Sequence, residues 1–261
     1  MLRRLFCAAV AVLVSTGVAA GQKAVLDEAL RGTGASAVLM DVRTGRLLAK
    51  TGPEAAALPG STLKPFILYL GLDARLVQPG TTVECRGNLA VGGRNLACTH
   101  PRDVTVFDGR AALAYSCNTY FARLAERMSD FELRMGLVRF GLPSAESDGS
   151  PEGRVLTALG VVGSRVTPLQ MAQAYRILAS RATPVVMGGL EDSVQFGMAD
   201  NARMPGLVGK TGTVKDPGQS WTHGWFAGVA SGKTVVVVYV PRGSGADAAG
   251  LGRRVVEGLG R

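Results

Sequence analysis

The chain has 261 residues, of which 47% are apolar and 19% charged, a composition typical of one folded domain rather than of a disordered chain. Its formal net charge is +9, from 29 basic and 20 acidic residues. No basic run is interleaved with aromatic residues, as a nucleic-acid surface requires. We therefore expect no nucleic-acid partner.

The first twenty residues predict a secretory signal. Arg3 and Arg4 precede an apolar stretch over 5–18, and Val18 and Ala20 occupy the small-residue positions before a cleavage site. The stretch is short for a membrane span, although an uncleaved membrane anchor is the alternative. We expect an exported protein, periplasmic or extracellular, with residues 1–20 as signal peptide and 21–261 as one domain.

The next segments predict a hairpin and then helices. Alternating apolar residues flank a turn at 43–46, which predicts a hairpin over 36–50. Apolar residues then recur at helical spacing, which predicts helices over 61–73, 109–128 and 167–181. We expect an inserted all-helical lobe over about 72–182.

After Thr183 the pattern changes to strands, predicted at 184–187, Leu207–Val214, 224–230 and Thr234–Val240. A short turn at 231–233 joins the last two strands, and an amphipathic helix follows over about 246–259. This order predicts an α/β fold of the α+β type: an antiparallel sheet flanked by terminal helices, with the helical lobe inserted between its first and later strands.

The cysteines allow two interpretations. Cys85 and Cys98 flank a glycine-rich turn, and export favours a disulfide between them, with Cys117 left unpaired. The alternative to the disulfide is a metal site formed by Cys85, Cys98 and His100, which lacks a clear fourth ligand.

The first candidate for chemistry is Ser61-Thr-Leu-Lys64. Pro59-Gly60 predicts a turn, and Pro65 is tolerated only in the first turn of a helix, so the helix begins close to Ser61. Lys64 then lies one turn along on the same face, where a water-shielded amine can take the serine proton. Taken alone, the pattern also fits a helix cap followed by a surface lysine.

Ser116-Cys117-Asn118 is the second candidate. On a loop between helices, the Ser116 hydroxyl can relay a proton and the Asn118 amide can hold a peptide backbone. Taken alone, Ser-x-Asn is more often a local cap.

The third candidate is Gly209-Lys210-Thr211-Gly212-Thr213, on a predicted strand. It is not a phosphate loop, because Met204 stands where that motif needs glycine. Alternation sends Lys210 and Gly212 to one face of the strand and the two threonines to the other. The small residues leave the backbone open to a substrate.

The order and spacing of the three patterns are specific. Ser-x-x-Lys, Ser-x-Asn and Lys-Thr-Gly follow one another 55 and then 94 residues apart. On this basis the chain resembles the D,D-transpeptidase domain of the penicillin-binding proteins, among the serine acyltransferases that include the β-lactamases. Further similar segments are 115–121, 158–160, 166–172 and 223–228, so that the resemblance covers about 36–258.

The resemblance implies catalytic roles. Ser61 is expected to be the acylated nucleophile and Lys64 its base. Ser116 is expected to pass a proton to the leaving amine, with electrostatic help from Lys210. No metal or organic cofactor is expected.

It also implies binding roles. Asn118 is expected to bind the substrate's peptide backbone. Thr211 and Thr213, with Gly212 between them, are expected to bind the substrate's terminal carboxylate. The backbone N–H groups of Ser61 and Thr213 are expected to form the oxyanion hole.

The activity implied is acyl transfer from D-Ala-D-Ala ends of peptidoglycan stem peptides, as a D,D-transpeptidase or D,D-carboxypeptidase that penicillin acylates. Expected partners are stem peptides, β-lactams and a separate glycosyltransferase or cell-wall protein, because no glycosyltransferase region or N-terminal pedestal is expected here. A serine β-lactamase is the alternative, although segment 152–156 lacks the Glu-x-x-Leu-Asn pattern of one class. A non-catalytic penicillin sensor is a further alternative. A Ser-His-Asp triad fits poorly, with two histidines and no Gly-x-Ser-x-Gly.

Overall fold

A computed structural model of the chain describes residues 20–144 and 148–260. Within these residues nine strands form, namely β1 (Ser36–Asp41), β2 (Leu47–Thr51), β3 (Val83–Glu84), β4 (Ala90–Val91), β5 (Arg94–Asn95), β6 (Val106–Phe107), β7 (Leu207–Val214), β8 (His223–Ala230) and β9 (Thr234–Val240). Five of them form one sheet in the order β2-β1-β9-β8-β7, and each neighbouring pair is antiparallel. The pairs β3-β6 and β4-β5 form two small ladders.

Nine α-helices lie in the same described ranges: α1 (20–29), α2 (Lys64–Asp73), α3 (Gly109–Ala114), α4 (Asn118–Glu126), α5 (Asp130–Val138), α6 (Pro151–Ala158), α7 (Pro168–Arg181), α8 (Pro184–Gln195) and α9 (Gly245–Leu259). A 3-10 turn over Gly60–Leu63 leads into α2. The antiparallel sheet, the terminal helices and the intervening, mainly helical segment confirm the predicted fold class. The lobe predicted over about 72–182 is not all-helical, because the ladders β3-β6 and β4-β5 lie within it.

The sheet separates two hydrophobic cores because its side chains alternate between the faces. On β9, Val235, Val237 and Tyr239 pack with the helices that follow β2 in the chain. Val236 and Val238, in between, pack with residues of α1 and α9. Burying each such valine contributes about 1.5–3 kcal/mol before the entropy of ordering is counted, so both faces of the sheet are held.

The strand predicted at 184–187 is wrong, because these residues form the first turn of α8. Thr183 caps the helix, with its side chain accepting a hydrogen bond from Val186 N, and Pro184 occupies the first turn. Val186, Leu190 and Val194, four residues apart, are all buried. The short apolar run is therefore one stripe of a buried helix rather than a strand.

The helix predicted over 109–128 is two helices. The chain leaves α3 at Tyr115 and begins α4 at Asn118. Between them Ser116 has φ +56°, in the left-handed region that no helix continues through. The hairpin, the strands Leu207–Val214 and Thr234–Val240, and the helix ending at Leu259 lie where they were predicted.

The predicted signal peptide, residues 1–20, lies outside the described residues except for Ala20, which lies in α1. Among the residues that are described, no helix has the length and apolar character needed to span a bilayer.

Candidate active site

Ser61 lies on the 3-10 turn that precedes α2. Gly60 has φ +55°, and a Cβ there would lie 2.5 Å from Val214 Cγ2, so the turn requires glycine. The Gly60 amide donates to Gly160 O at 2.9 Å. Pro65 stands in the first turn of α2, as the sequence predicted.

The carbonyl of Leu58 anchors this turn to β8. It accepts hydrogen bonds from His223 Nε2 at 2.9 Å and from Trp225 Nε1 at 3.0 Å. His223 Nδ1 lies 3.2 Å from Asp216, which also pairs with Arg165 at 2.5 Å. The strand predicted over 224–230 begins one residue earlier, at His223, and nothing in the sequence indicated the role of this histidine as an anchor for the nucleophile turn.

Lys64 links the first two motifs. Its fully buried Nζ donates to Ser116 O at 2.7 Å, to Ser116 Oγ at 3.1 Å and to Asn118 Oδ1 at 2.5 Å. Burial lowers the pKa of Lys64 to about 8, partly opposed by its electrostatic interactions with Cys117 and Cys98. At that pKa about one molecule in ten carries a neutral amine at pH 7.

The junction between α3 and α4 presents the second motif. The left-handed φ of Ser116 places its hydroxyl on the same amine as the Asn118 side chain. A non-glycine residue in this conformation costs about 1 kcal/mol or more, and such strain clusters at functional sites. The Asn118 amide nitrogen also donates to Leu96 O at 2.9 Å, which fixes the orientation of its side chain.

Lys210 is fully buried on β7, and its Nζ donates to Thr211 O at 3.1 Å. Desolvation, followed by the nearby positive charge of Lys64, holds the pKa of Lys210 well below its usual range. The two lysines therefore share one electrostatic environment.

Gly212 lets β7 pack directly on the nucleophile turn. A Cβ at this position would lie 2.6 Å from Pro59 O and 3.3 Å from Ser61 N. Gly212 therefore faces the turn, and alternation places Lys210 on the same face of β7.

The two threonines of the third motif differ. Thr213 lines the cleft, and its Oγ1 accepts a hydrogen bond from Gly245 N at 2.8 Å. Thr211 is 6% exposed, and its hydroxyl donates to Met198 O at 3.0 Å. The expectation that the Thr211 side chain contacts a substrate carboxylate is corrected by this geometry, because its hydroxyl is already bonded away from the cleft.

An open cleft of ≈ 320 Å³ brings parts of the three motifs together. Its lining residues are Gly60, Ser61, Asn95, Leu96, Ala97, Asn118, Leu159, Val161 and Thr213. Ser61 and Asn118 are partly exposed there, whereas Lys64 and Lys210 are buried. The cleft therefore exposes the Ser61 side chain, and Asn118 connects its wall to the buried Lys64 amine.

The predicted disulfide between Cys85 and Cys98 is not formed. Their sulfurs lie 3.6 Å apart, whereas a disulfide bond measures about 2.05 Å. Among the described residues Cys85, Cys98 and Cys117 are all free thiols. His100 Nε2 lies 3.2 Å from Cys85 Sγ and Cys117 Sγ lies 4.0 Å from Cys98 Sγ. Sequence reasoning had left Cys117 outside this group.

Solved structures with the same fold are transpeptidase domains. The D,D-transpeptidase domain of a peptidoglycan glycosyltransferase from Eggerthella lenta is 20% identical, with a TM-score of 0.80, over 91% of this chain and 80% of that one. The transpeptidase domain of Burkholderia pseudomallei penicillin-binding protein 3 is 21% identical, with a TM-score of 0.80, over 93% of each chain. A chain from a peptidoglycan synthase complex is 20% identical, with a TM-score of 0.79, over 92% of this chain and 60% of that one.

Among curated proteins no significant match is found. The family model described as the penicillin binding protein transpeptidase domain matches residues 35–208. This range contains the first two of the three motifs. The third motif begins at the next residue, Gly209, on β7. The resemblance drawn from the motifs is thereby confirmed, and the chain belongs to the penicillin-binding protein transpeptidase domain family.

Proposed function

We propose that this protein is a serine D,D-acyltransferase that forms an acyl-enzyme at Ser61 with the D-Ala-D-Ala ends of peptidoglycan stem peptides. Membership in the family supports an enzyme of the serine acyltransferase type. The observation that carries the proposal is the buried Lys64 amine, hydrogen-bonded to both Ser116 and Asn118 beside the cleft that exposes Ser61.

In the acylation step, Ser61 Oγ attacks the carbonyl carbon of the scissile peptide bond and its proton passes to neutral Lys64 Nζ. The oxyanion is stabilised by the backbone N–H groups of Ser61 and Thr213, at the junction of the turn and β7. The C–N bond then breaks. Ser116 gives its hydroxyl proton to the leaving amine and recovers one from Lys64, so the protons balance.

Substrate binding divides between the two sides of the cleft. On one side Asn118 holds the peptide backbone through its side-chain amide. On the other, Thr213 and the charge of Lys210 attract the terminal carboxylate. The acyl group is then transferred to an amine in the transpeptidase reaction or to water in the carboxypeptidase reaction.

The proposal is tested by intact-mass analysis of the full chain after incubation with penicillin, followed over hours. The wild type should gain one stable adduct, and Ser61→Ala none. Ser180→Ala, which changes an exposed serine on α7 that bonds Ile177 O, is the matched control and should label normally. Labelling of Ser61→Ala at the wild-type level would refute the nucleophile, and rapid release of the adduct would instead identify a β-lactamase.

We further propose that the protein acts outside the cytoplasm, with residues 1–20 as its signal, and works with a separate glycosyltransferase. One similar structure is described as coordinating polymerization and crosslinking in a peptidoglycan synthase complex, which supports such a partner. N-terminal sequencing of the exported protein should begin at Gly21. An intact Met1 in the exported fraction would contradict cleavage.

A further inference from the structure

Four side chains that can ligate a metal meet beside the second motif. The ligand atoms of Cys85, Cys98, His100 and Cys117 all lie within 4.8 Å of one another. A tetrahedral zinc ion with Zn–S of about 2.3 Å and Zn–N of about 2.0 Å requires sulfur–sulfur edges of about 3.8 Å and sulfur–nitrogen edges of about 3.5 Å. The observed edges of 3.6, 4.0 and 3.2 Å lie close to these values.

The surroundings of the cluster favour thiolates. The backbone amide of Asn118 donates to Cys98 Sγ at 3.1 Å and that of Gly87 to Cys85 Sγ at 3.4 Å. Such hydrogen bonds offset the negative charge that sulfur carries when it binds a metal. Cys85 and Cys117 are buried, so the ion would be shielded from water.

His100 is held in the orientation of a ligand. Its Nδ1 lies 3.0 Å from Pro101 O, a contact that places the ring proton on Nδ1 and leaves the Nε2 lone pair for the cluster. Its ring packs 4.4 Å from that of Phe107. The sequence left the alternative metal site without a clear fourth ligand, and the fold supplies one in Cys117.

We propose that Cys85, Cys98, His100 and Cys117 bind one Zn²⁺ as a structural site that fixes the second catalytic motif. Four protein ligands close the coordination shell, as in structural rather than catalytic zinc sites. The thiols release their protons to solvent on binding. The proposal departs from the family resemblance, from which no metal was expected.

The cluster is tied directly to the catalytic motif. Cys117 lies between Ser116, in its left-handed conformation, and Asn118, whose amide bonds Cys98 Sγ. Leu96, two residues before Cys98, accepts the Asn118 side chain and lines the cleft. Zinc would therefore join the segment after β5, which carries Leu96 and Cys98, to the α3–α4 junction. Its effect on catalysis, through the position of Ser116 and Asn118, rests on the proposed function.

The first test measures metal in the full chain, purified without added metal or chelator. We expect one zinc per chain by elemental analysis, and Co²⁺ substitution should give a thiolate-to-metal charge-transfer band with tetrahedral d–d bands. Cys98→Ser should weaken zinc binding by at least about tenfold, whereas Glu84→Gln, which removes an exposed carboxylate near the cluster, should bind as the wild type does.

If Cys98→Ser fails to fold, two measurements on the wild type still test the proposal. They are the Co²⁺ spectrum and the protection that bound zinc gives the cysteine thiols against an alkylating reagent. Wild-type protein without zinc or a thiolate–cobalt band would overturn the proposal. So would equal zinc binding by Cys98→Ser and Glu84→Gln, or a Cys85–Cys98 disulfide in peptides from the purified protein.

The second test separates the metal site from the proposed acylation. Ser61→Ala should hold one zinc per chain and form no penicillin adduct. Removing zinc from the wild type should slow acylation at least about tenfold, and added Zn²⁺ should restore it. Acylation that is unchanged without zinc would refute the role in the catalytic motif, whereas zinc bound by a chain that never acylates would refute the proposed function alone.

Discussion

The two sides of the cleft are built by different forces. On one side β7 pairs with β8 along eight residues, from Leu207 to Val214, and Gly212 packs on the nucleophile turn. On the other, the α3–α4 junction and the segment around Leu96 are irregular, held by Lys64, by the Asn118 amide and by the cysteine cluster. The first side therefore depends mainly on backbone hydrogen bonds, and the second on a few buried polar side chains.

The difference predicts where the site is sensitive. Backbone ladders tolerate most side-chain changes, whereas a buried polar group left without its partner costs about 1–3 kcal/mol. Changes in charge, protonation or bound metal should therefore affect mainly the irregular side of the cleft. Changes in side-chain volume should affect mainly the sheet side.

The largest expected effect distinguishes the two lysines. Lys64→Arg keeps the charge but replaces a tunable amine with a guanidinium that does not deprotonate near neutral pH. Its penicillin acylation rate should fall by about 10²–10⁴-fold. Lys210→Arg, on the sheet side, should lose about tenfold. The measurement is the second-order acylation rate of each variant, and equal rates would remove Lys64 as the base.

Ser116→Gly should separate stability from chemistry on the irregular side. Glycine adopts φ +56° without the strain that serine bears there, so the free energy of unfolding should rise by about 0.5–1 kcal/mol. The hydroxyl is lost, and acylation should fall about 100-fold. Denaturant unfolding measures the change in stability, and the penicillin acylation rate measures the loss of chemistry. A destabilised variant would contradict the strain, and normal acylation would contradict the proton relay.

Gly212→Ala tests volume on the sheet side. Its Cβ would lie 2.6 Å from Pro59 O, a backbone atom that cannot move alone, so we expect a loss of about 1–3 kcal/mol in the free energy of unfolding. Gly250→Ala on α9 is the control, because a Cβ there meets nothing within 4 Å. That change should stabilise by about 0.5–1 kcal/mol. Equal responses of the two variants would refute tight packing of β7 on the turn.

The pH profile tests the amine between the two sides. With the pKa of Lys64 lowered to about 8, acylation should rise about tenfold per pH unit up to that value and then level off. Lys210, Cys98 and Cys117 are the charged and titratable groups that act on Lys64, so the profile is measured in Lys210→Arg as well. A profile that is flat from pH 6 to 8 would contradict a lysine base.

The same shift predicts a change in stability. Between about pH 8 and the ordinary lysine pKa of 10.5, the unfolded chain binds more protons than the folded one. The free energy of unfolding should therefore rise with pH across this window and be lowest below it. Lys64→Met should reduce the slope without abolishing it, because the pKa of Lys210 is also lowered. A rise of the same slope in that variant would assign the whole effect to other groups.

The sequence by itself determined the elements whose evidence is local. The hairpin at β1-β2, the strands β7 and β9 and the helix α9 follow from periodicity, and the three motifs follow from residue type and spacing. These signals are sufficient because each element's apolar pattern records which face it buries. Ser61, Lys64, Ser116 and Lys210 were chosen on that basis, and the fold brings their elements together.

Tertiary structure decided what depends on partners distant in sequence. The run 184–187 is helical because Thr183 caps it and its apolar face meets the core, whereas the same short run fits a strand equally well in isolation. Thr211 is unavailable to a substrate carboxylate because its hydroxyl donates to Met198 O, a residue that precedes β7 in the chain. The lowered pKa of Lys64 and the meeting of Cys117 with Cys98 likewise arise from burial and packing between segments. Desolvation and side-chain geometry in space have no counterpart in sequence spacing, and for that reason only the folded chain determines them.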